Sequence, residues 1–294
     1  MNRLICSFSG GRTSAYMTWR VLQEWRDQYD EITVLFANTG LEHEKTLEFV
    51  NNCDKHFGFN TVWLEAVTHM EHGKGQTHKI VNFETASRNG EPFERMVAKE
   101  GIPNAGQPKC TDRLKAVPIR HYIREVLRHK RYDYKHAIGI RADEIDRMSS
   151  IAMSKGIIYP LVRWGVNKQQ ILDWWTAQDF DLEIDPIHGN CVTCWRKSPR
   201  KLLTIAKNNP EYFEPMIRME ERYGFSGSRA KMGDKPTVFF RGHESAKDII
   251  AKSSEQFVQW SPEFEKHYQQ IGLFSLDELD ISNGCTESCE VDFV

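Results

Sequence analysis

Ser9-Gly10-Gly11-Arg12-Thr13-Ser14 stands between a short apolar run, Leu4–Phe8, and a stretch with Ala15, Trp19, Leu22 and Trp25 on related faces. A strand, a glycine turn and a helix in that order can cradle an anion. Glycines let successive amides curl round an oxyanion, and the helix adds free N–H groups and the positive end of its dipole. Gly10 and Gly11 are both expected to use positive φ, with Ser9, Thr13 and Ser14 as hydroxyl donors. The segment is not a Walker A loop, since no Lys-Ser/Thr follows a second spaced glycine, nor is it G-x-G-x-x-G. An ordinary Ser-capped turn would read the same by itself; the place between strand and helix favours the anion.

The second chemistry-bearing set is the thiols. Cys191-Val192-Thr193-Cys194 follows a Gly-Asn turn and precedes a helix expected from Ser198. Two sulfurs at this spacing lie on one side of a turn and suit zinc or an iron–sulfur cluster, although four ligands are usual. Cys6 falls in a strand and Cys53 on a helix, so both read as small core residues. His69, His72 and His78 lie in a loop-like segment whose spacing fits no helix-borne metal motif. Arg196, Lys197, Arg200, Lys201 and Lys207 share a helical face. That face reads as solvated, or as a phosphate-backbone patch on a nucleotide-modifying protein.

These residues must be positioned by elements, and the hydrophobic periodicity supplies them. Strands are expected at Leu4–Phe8, Ile32–Ala37, Thr61–Leu64 and Tyr134–Ile140, and helices after the glycine turn, at Glu44–Phe57 and from Pro118. Short strands alternating with helices imply an α/β fold whose open parallel sheet is covered on both faces. Between Glu65 and Gln107 the pattern weakens into a long loop region with one short helix. Helices follow at Lys168–Gln178, Ser198–Asn208 and Pro210–Tyr223. The expected division is a nucleotide-binding domain over 1–200 and a helical extension with a Cys-containing tail over 201–294.

The 294 residues carry 39 Lys+Arg against 41 Asp+Glu, a net charge of −2, so a nucleic-acid surface must be a local patch. No apolar run approaches the ~18 residues of a membrane span. Seven cysteines, an odd number, with no signal-like segment favour metal or thiol chemistry over disulfides in a cytoplasmic protein.

Five segments in order resemble the PP-loop ATP pyrophosphatases, in particular their phosphoadenosine-phosphosulfate (PAPS) reductase-like branch. Phe8–Ser14 looks like the S-G-G-x-x-S pyrophosphate loop. Ala37-Asn38-Thr39-Gly40-Leu41-Glu42 resembles the (N/D)-T-G segment. Lys109-Cys110-Thr111-Asp112-Arg113-Leu114-Lys115 resembles a Cys-containing segment ending in Lys. Gly139-Ile140-Arg141-Ala142-Asp143-Glu144 with Arg147 resembles G-x-R-x-x-E/Q-x-x-R, and Tyr159-Pro160-Leu161 through Trp164 resembles P-L-x-x-W.

The resemblance implies a Rossmann-like sheet of the adenine-nucleotide α-hydrolase type binding ATP and Mg²⁺. Ser7, Ser9, Gly10, Gly11, Thr13, Ser14, Asn38, Thr39, Gly40, Gly139, Arg141, Glu144 and Arg147 would hold nucleotide and pyrophosphate; Ser9, Lys115 and Arg141 would act catalytically. Arg141 and Arg147 have planar forks suited to phosphate, with surface salt bridging as the simpler role. Cys110, Cys191 and Cys194 would ligate a 4Fe–4S cluster, or zinc, with Cys285, Cys289 or nothing as the fourth ligand. The family also implies an acceptor, a nucleotide or a nucleic acid such as tRNA or DNA, that is adenylated and then takes sulfur from a cluster, a persulfide or a donor protein. A homodimer is a further expectation. Two departures separate the chain from sulfonucleotide reductases: the loop is intact, and Glu287-Ser288-Cys289-Glu290-Val291 matches their catalytic tail only at Cys. Sulfonucleotide reduction through Cys289 or Cys110, and a non-catalytic nucleotide-binding module with structural zinc, remain the rivals.

Overall fold

The computed structural model describes residues 1–226 and 235–262, and these fall into two compact units. The first comprises Met1–Phe93 and Cys110–Ile184; the second comprises Glu94–Lys109 and the described residues from Asp185 onward.

The first unit is built on a six-stranded sheet. Its strands are β1 (Arg3–Ser7), β2 (Glu31–Asn38), β3 (Val62–Thr68), β4 (Gln76–Val81), β5 (Tyr134–Ala137) and β6 (Ile157–Ile158), in spatial order β4-β3-β2-β1-β5-β6. All neighbours are parallel except β3 and β4. The expected parallel α/β sheet is therefore present. Its order reverses beside β1: the chain runs outward through β2 and β3, then returns to place β5 on β1's other side. The loops after β1 and β5 therefore diverge at a switch point, where doubly wound sheets leave a crevice for ligands.

Period-two alternation explains the burial. Leu4, Cys6, Val34, Phe36 and Trp63 face one layer with Met17 and Val21 of α1 (Arg12–Glu24), Leu47 and Val50 of α2 (Glu44–Phe57) and Trp175 of α6 (Lys168–Thr176). Ile5, Leu35, Ala37 and Leu64 face the other, against Ile119, Tyr122 and Ile123 of α4 (Val117–Glu125). Helix α2 spans the expected residues and closes on Gly58 at φ 64°, a left-handed cap. Burial raises the Cys6 thiol to about 12 and lifts Cys53 well above its ordinary value, which makes both inert core residues as expected.

Three expectations are corrected. The segment read as loop from Glu65 contains the rest of β3, the antiparallel β4 and α3 (Glu91–Glu100). Within it His69 bonds Thr77 and His78 bonds His121, so two of the three histidines are in side-chain contacts, not solvated. Strand β5 ends at Ala137 rather than Ile140, because the next residues turn: Ile140 N donates to Ile138 O. Residues Asp112–Ala116 form a π-helical turn that runs directly into α4.

Unit one closes with α5 (Pro160–Arg163) and α6 (Lys168–Thr176). The second unit carries α7 (Pro199–Asn208), α8 (Glu214–Tyr223) and α9 (Ala246–Ser253). Leu202, Ile205, Phe213, Met219, Phe239 and Ile249 are buried there. Glu220, half-buried, accepts the amides of Phe239 and Ala246, and burial raises its pKa. The basic run read as one helical face begins before α7 and is in part internal: Lys197 and Lys201 are buried. Lys197 Nζ donates to His188 O and Lys201 lies 4.7 Å from the Trp260 ring. No helix among the described residues is long and apolar enough to cross a membrane.

Candidate nucleotide site

The glycine loop folds because its own hydroxyls tie it shut. Ser14 Oγ accepts from Ser9 N at 3.1 Å, sits 2.8 Å from Ser9 Oγ and donates to Gly11 O at 3.1 Å. Gly10 has φ +85°, and a Cβ there would stand 2.6 Å from the Thr46 methyl and 3.1 Å from Phe36. Glycine is required at this position twice over, by backbone conformation and by packing. Gly11 departs from expectation: at φ −106° it is the extended N-cap of α1, a conformation open to any residue. This N-cap makes no side-chain hydrogen bond to the first-turn N–H groups of that helix.

Arg12, inside the motif, points away from any ligand role. Its guanidinium grips Asp181 in two bonds of 2.6 and 2.8 Å and donates to Leu182 O, while its own carbonyl accepts the Trp175 indole N–H. It pins the loop to the end of the first unit.

At the switch point the loop after β5 reaches the loop after β1. Arg141 Nη1 lies 3.4 Å from Thr13 Oγ1, across 128 residues of sequence. Asp143 and Glu144 hold the same guanidinium at 3.0 and 3.4 Å, and Glu144 also pairs with Arg147. The Arg141 fork holds the Asp143 carboxyl below the usual carboxylate range despite an opposing desolvation. Gly139 is buried just beyond β5. Below the loop, Ser7 Oγ and His136 Nε2 share a buried 2.6 Å bond, and burial lowers the His136 pKa to about 3. The imidazole is neutral at ordinary pH, and the Ser7 hydroxyl is engaged by the scaffold.

Asn38, Thr39 and Gly40 end β2 in a turn satisfied from within. Asn38 Nδ2 donates to Glu65 at 2.6 Å and to Ser87 O at 2.9 Å, while its Oδ1 accepts Gly40 N. Thr39 donates both N–H and hydroxyl to Glu42 Oε2 at 2.8 Å. Lys115, from the π-helical turn, lies 3.7 Å from Glu42 Oε1 with both side chains buried. A buried carboxylate persists only with such partners. Gly40 has φ +83°, and a Cβ would press on Pro92 and Gly90.

Two residues essential to this framework escaped sequence reading. Glu65 is fully buried and also binds Lys79, Ser87 N and Ser87 Oγ. A lone Glu inside the apolar run Trp63–Val67 was its signal. His136 had no comparable signal.

The thiols divide between the units. Cys110 begins the helical segment leading into the π-helical turn of the first. Cys191 and Cys194 flank a turn of the second, where Cys194 N donates to Cys191 O. Two thiols at this spacing are half the donors that zinc or a cluster takes. Within either unit, no group of three or more His, Cys, Asp or Glu among the described residues is arranged to hold a metal. Cys285 and Cys289 lie outside the described residues.

Comparison with known proteins agrees with this geometry. The phosphoadenosine phosphosulfate reductase domain model matches residues 3–165. The nin region protein ORF290 of Escherichia phage lambda is 32% identical over 293 residues, 98% of this chain and 94% of that protein. Protein MJ0973 of Methanocaldococcus jannaschii is 23% identical over 228 residues, covering 74% of this chain and 48% of its own length. No solved structure matches significantly. The match spans the glycine loop, the Asn-Thr-Gly turn, Lys115 and Arg141, and the chain belongs to the phosphoadenosine phosphosulfate reductase domain family of the PP-loop ATP pyrophosphatases.

Proposed function

We propose that the protein cleaves ATP between its α and β phosphates and adenylates an acceptor, a nucleic acid or nucleotide, for sulfur transfer. The observation that carries this reading is Arg141 beside Thr13 at the switch point. It sets a guanidinium fork over an uncapped helix start, and both favour anionic oxygens. The loop residues Ser9, Gly10, Gly11, Thr13 and Ser14 would hold the leaving pyrophosphate with their amides and hydroxyls, and Arg141 and Arg147 would clamp it. Mg²⁺ would arrive on the triphosphate and neutralise developing charge there. The acceptor oxygen attacks the α phosphorus, the bond to the β-phosphate oxygen breaks, and pyrophosphate leaves. The outer sulfur of a donor persulfide then attacks the adenylated atom of the acceptor, its bond to oxygen breaks and AMP leaves with that oxygen. A second thiol of the donor would cleave the resulting S–S bond, freeing the thiolated acceptor and ending as a disulfide.

Lys115 and Glu42 keep the Asn-Thr-Gly turn in shape as its neighbour. Cys191 and Cys194 would provide two thiolates to a Cys-ligated metal centre, a 4Fe–4S cluster or zinc, with Cys110 and a tail cysteine as further ligands. Iron, sulfide and zinc analysis of anaerobically purified protein tests that part.

Pyrophosphate release from Mg-ATP, stimulated by nucleic acid, is the direct test. The family's description keeps sulfonucleotide reduction as the competing reading. Sulfite release from PAPS, with no pyrophosphate from ATP, would replace the proposal with that one.

A further inference from the structure

A second cationic site lies in the first unit at the opposite end of the sheet. A cavity of about 620 Å³ opens beside the first residues of β5 and β6, where Tyr134 pairs with Arg3 at the start of β1. Arg120, Arg124, Arg128, Lys130, Arg131 and Lys155 line it, and no carboxylate does. Nearby acids neutralise only part of this charge. Asp112 engages Arg120, and Glu125 is shared by Arg124 and Arg128. Asp133 takes the Lys130 backbone amide, and Glu31 faces His129 and Arg3. No ion pair to Lys130, Arg131 or Lys155 occurs among the described residues. Arg128 sits at φ +57°, a left-handed turn position where glycine would be unstrained.

We infer that this cavity is a binding surface for the phosphodiester backbone of a nucleic acid. It deepens the function proposed above, on which the choice of a nucleic-acid partner rests. The protein's net charge of −2 supplies no general attraction, so affinity must come from a local cluster such as this. The alternative basic run, leading into and along α7, has two of its lysines, Lys197 and Lys201, buried. The cations here are distributed over α4, the turn after it and Lys155, too widely for one small anion. Beside them Tyr132 is three-quarters exposed, with the Arg131 guanidinium 5.6 Å from its ring, a platform on which a base can stack. About 13 Å of strand separates this edge from the glycine loop, at ~3.3 Å per residue. A polymer can span both edges; a mononucleotide in the loop cannot.

The test uses the full chain and labelled 20-nucleotide DNA and RNA, single-stranded and duplex, with binding measured from 50 to 300 mM salt. Replacing the three unpaired cations together (Lys130→Ser, Arg131→Ser, Lys155→Ser) should weaken binding at least tenfold at 0.1 M salt. It should also lower the slope of log affinity against log salt by about 2, at 0.7–0.9 per lost phosphate contact. Whichever polymer binds best identifies the partner's type. Unchanged affinity and slope in a folded variant would overturn the inference, as would wild-type protein that binds inorganic triphosphate but no oligonucleotide. If the triple variant misfolds, Lys155→Glu alone carries the same expectation at smaller size. ATP binding and pyrophosphate release, measured without nucleic acid, should be equal in both proteins. Their absence from both would refute the proposed enzyme while leaving this surface intact.

Discussion

The loop after β1 and the turn after β2 look alike in sequence, each a polar residue or two beside glycine at a strand end, yet they are built for opposite purposes. The first leaves its helix start without a cap: Ser14 ties Ser9 and Gly11 together, while no side-chain cap bond is made at the start of α1. The second consumes its own polar groups. Asn38 and Thr39 are bound to Glu65, Ser87 and Glu42, and Glu42 in turn meets Lys115. Ligand affinity should therefore reside in the loop, and stability in the turn. A polar-glycine signature alone does not say which.

The largest effect should follow Gly10→Val. The new side chain must fit against Thr46 and Phe36 at positive φ. Calorimetry should show ATP binding lost by at least 100-fold, and denaturant unfolding should show destabilisation of about 2–4 kcal/mol. The 2.6 Å approach to the Thr46 methyl makes the fold suffer along with the ligand site. Gly11→Ala, at an extended position, should leave stability within about 0.5 kcal/mol. If the two substitutions behave alike, the loop is not the asymmetric device described.

Glu42→Gln probes the turn. It removes the charge of the buried carboxylate that faces Lys115, so urea unfolding should show a loss of about 3 kcal/mol. ATP affinity should change by less than about threefold. A collapse of affinity with stability retained would move the turn into the binding site and erase the contrast.

Arg141→Gln removes the charge shared between the two loops. Pyrophosphate release should fall about tenfold or more, the scale of one charge-assisted bond at ~1.5–3 kcal/mol, with the melting temperature little changed.

The effect that is smallest at neutral pH is confined to acid. His136 has a folded pKa near 3 against an ordinary 6.5, so the unfolded chain binds the extra proton between those values. Its contribution to stability is full above about 6.5 and is lost as pH falls towards 3. Across that window His136→Gln should flatten stability against pH by up to about 1.4 kcal/mol per unit. An unchanged slope would mean that burial does not keep the ring neutral.

The strand–loop–helix start, the boundaries of α2 and the double covering of the sheet were legible because they depend on side-chain period within one segment. Leu4, Cys6 and Phe8 alternate whatever they pack against, and a glycine beside serine at a strand end announces a turn from local sterics. Other features were not local. Strand β4, with Lys79 and Ile80 exposed, exists because β3 offers an unpaired edge. Lys197 and Lys201 repeat at helical spacing like solvated lysines, but partners elsewhere bury them. Glu42 needed Lys115, Ser7 needed His136 and Thr13 needed Arg141, and no period relates residues 73, 129 and 128 positions apart. The sequence by itself determined the strands β1, β2 and β3, the helices α1 and α2 and the glycine loop after the first strand, since neighbouring residues set backbone preference and amphipathic pattern. Only the tertiary structure decided which polar groups face a ligand and which hold the scaffold, because that depends on what chain closure brings within hydrogen-bond reach.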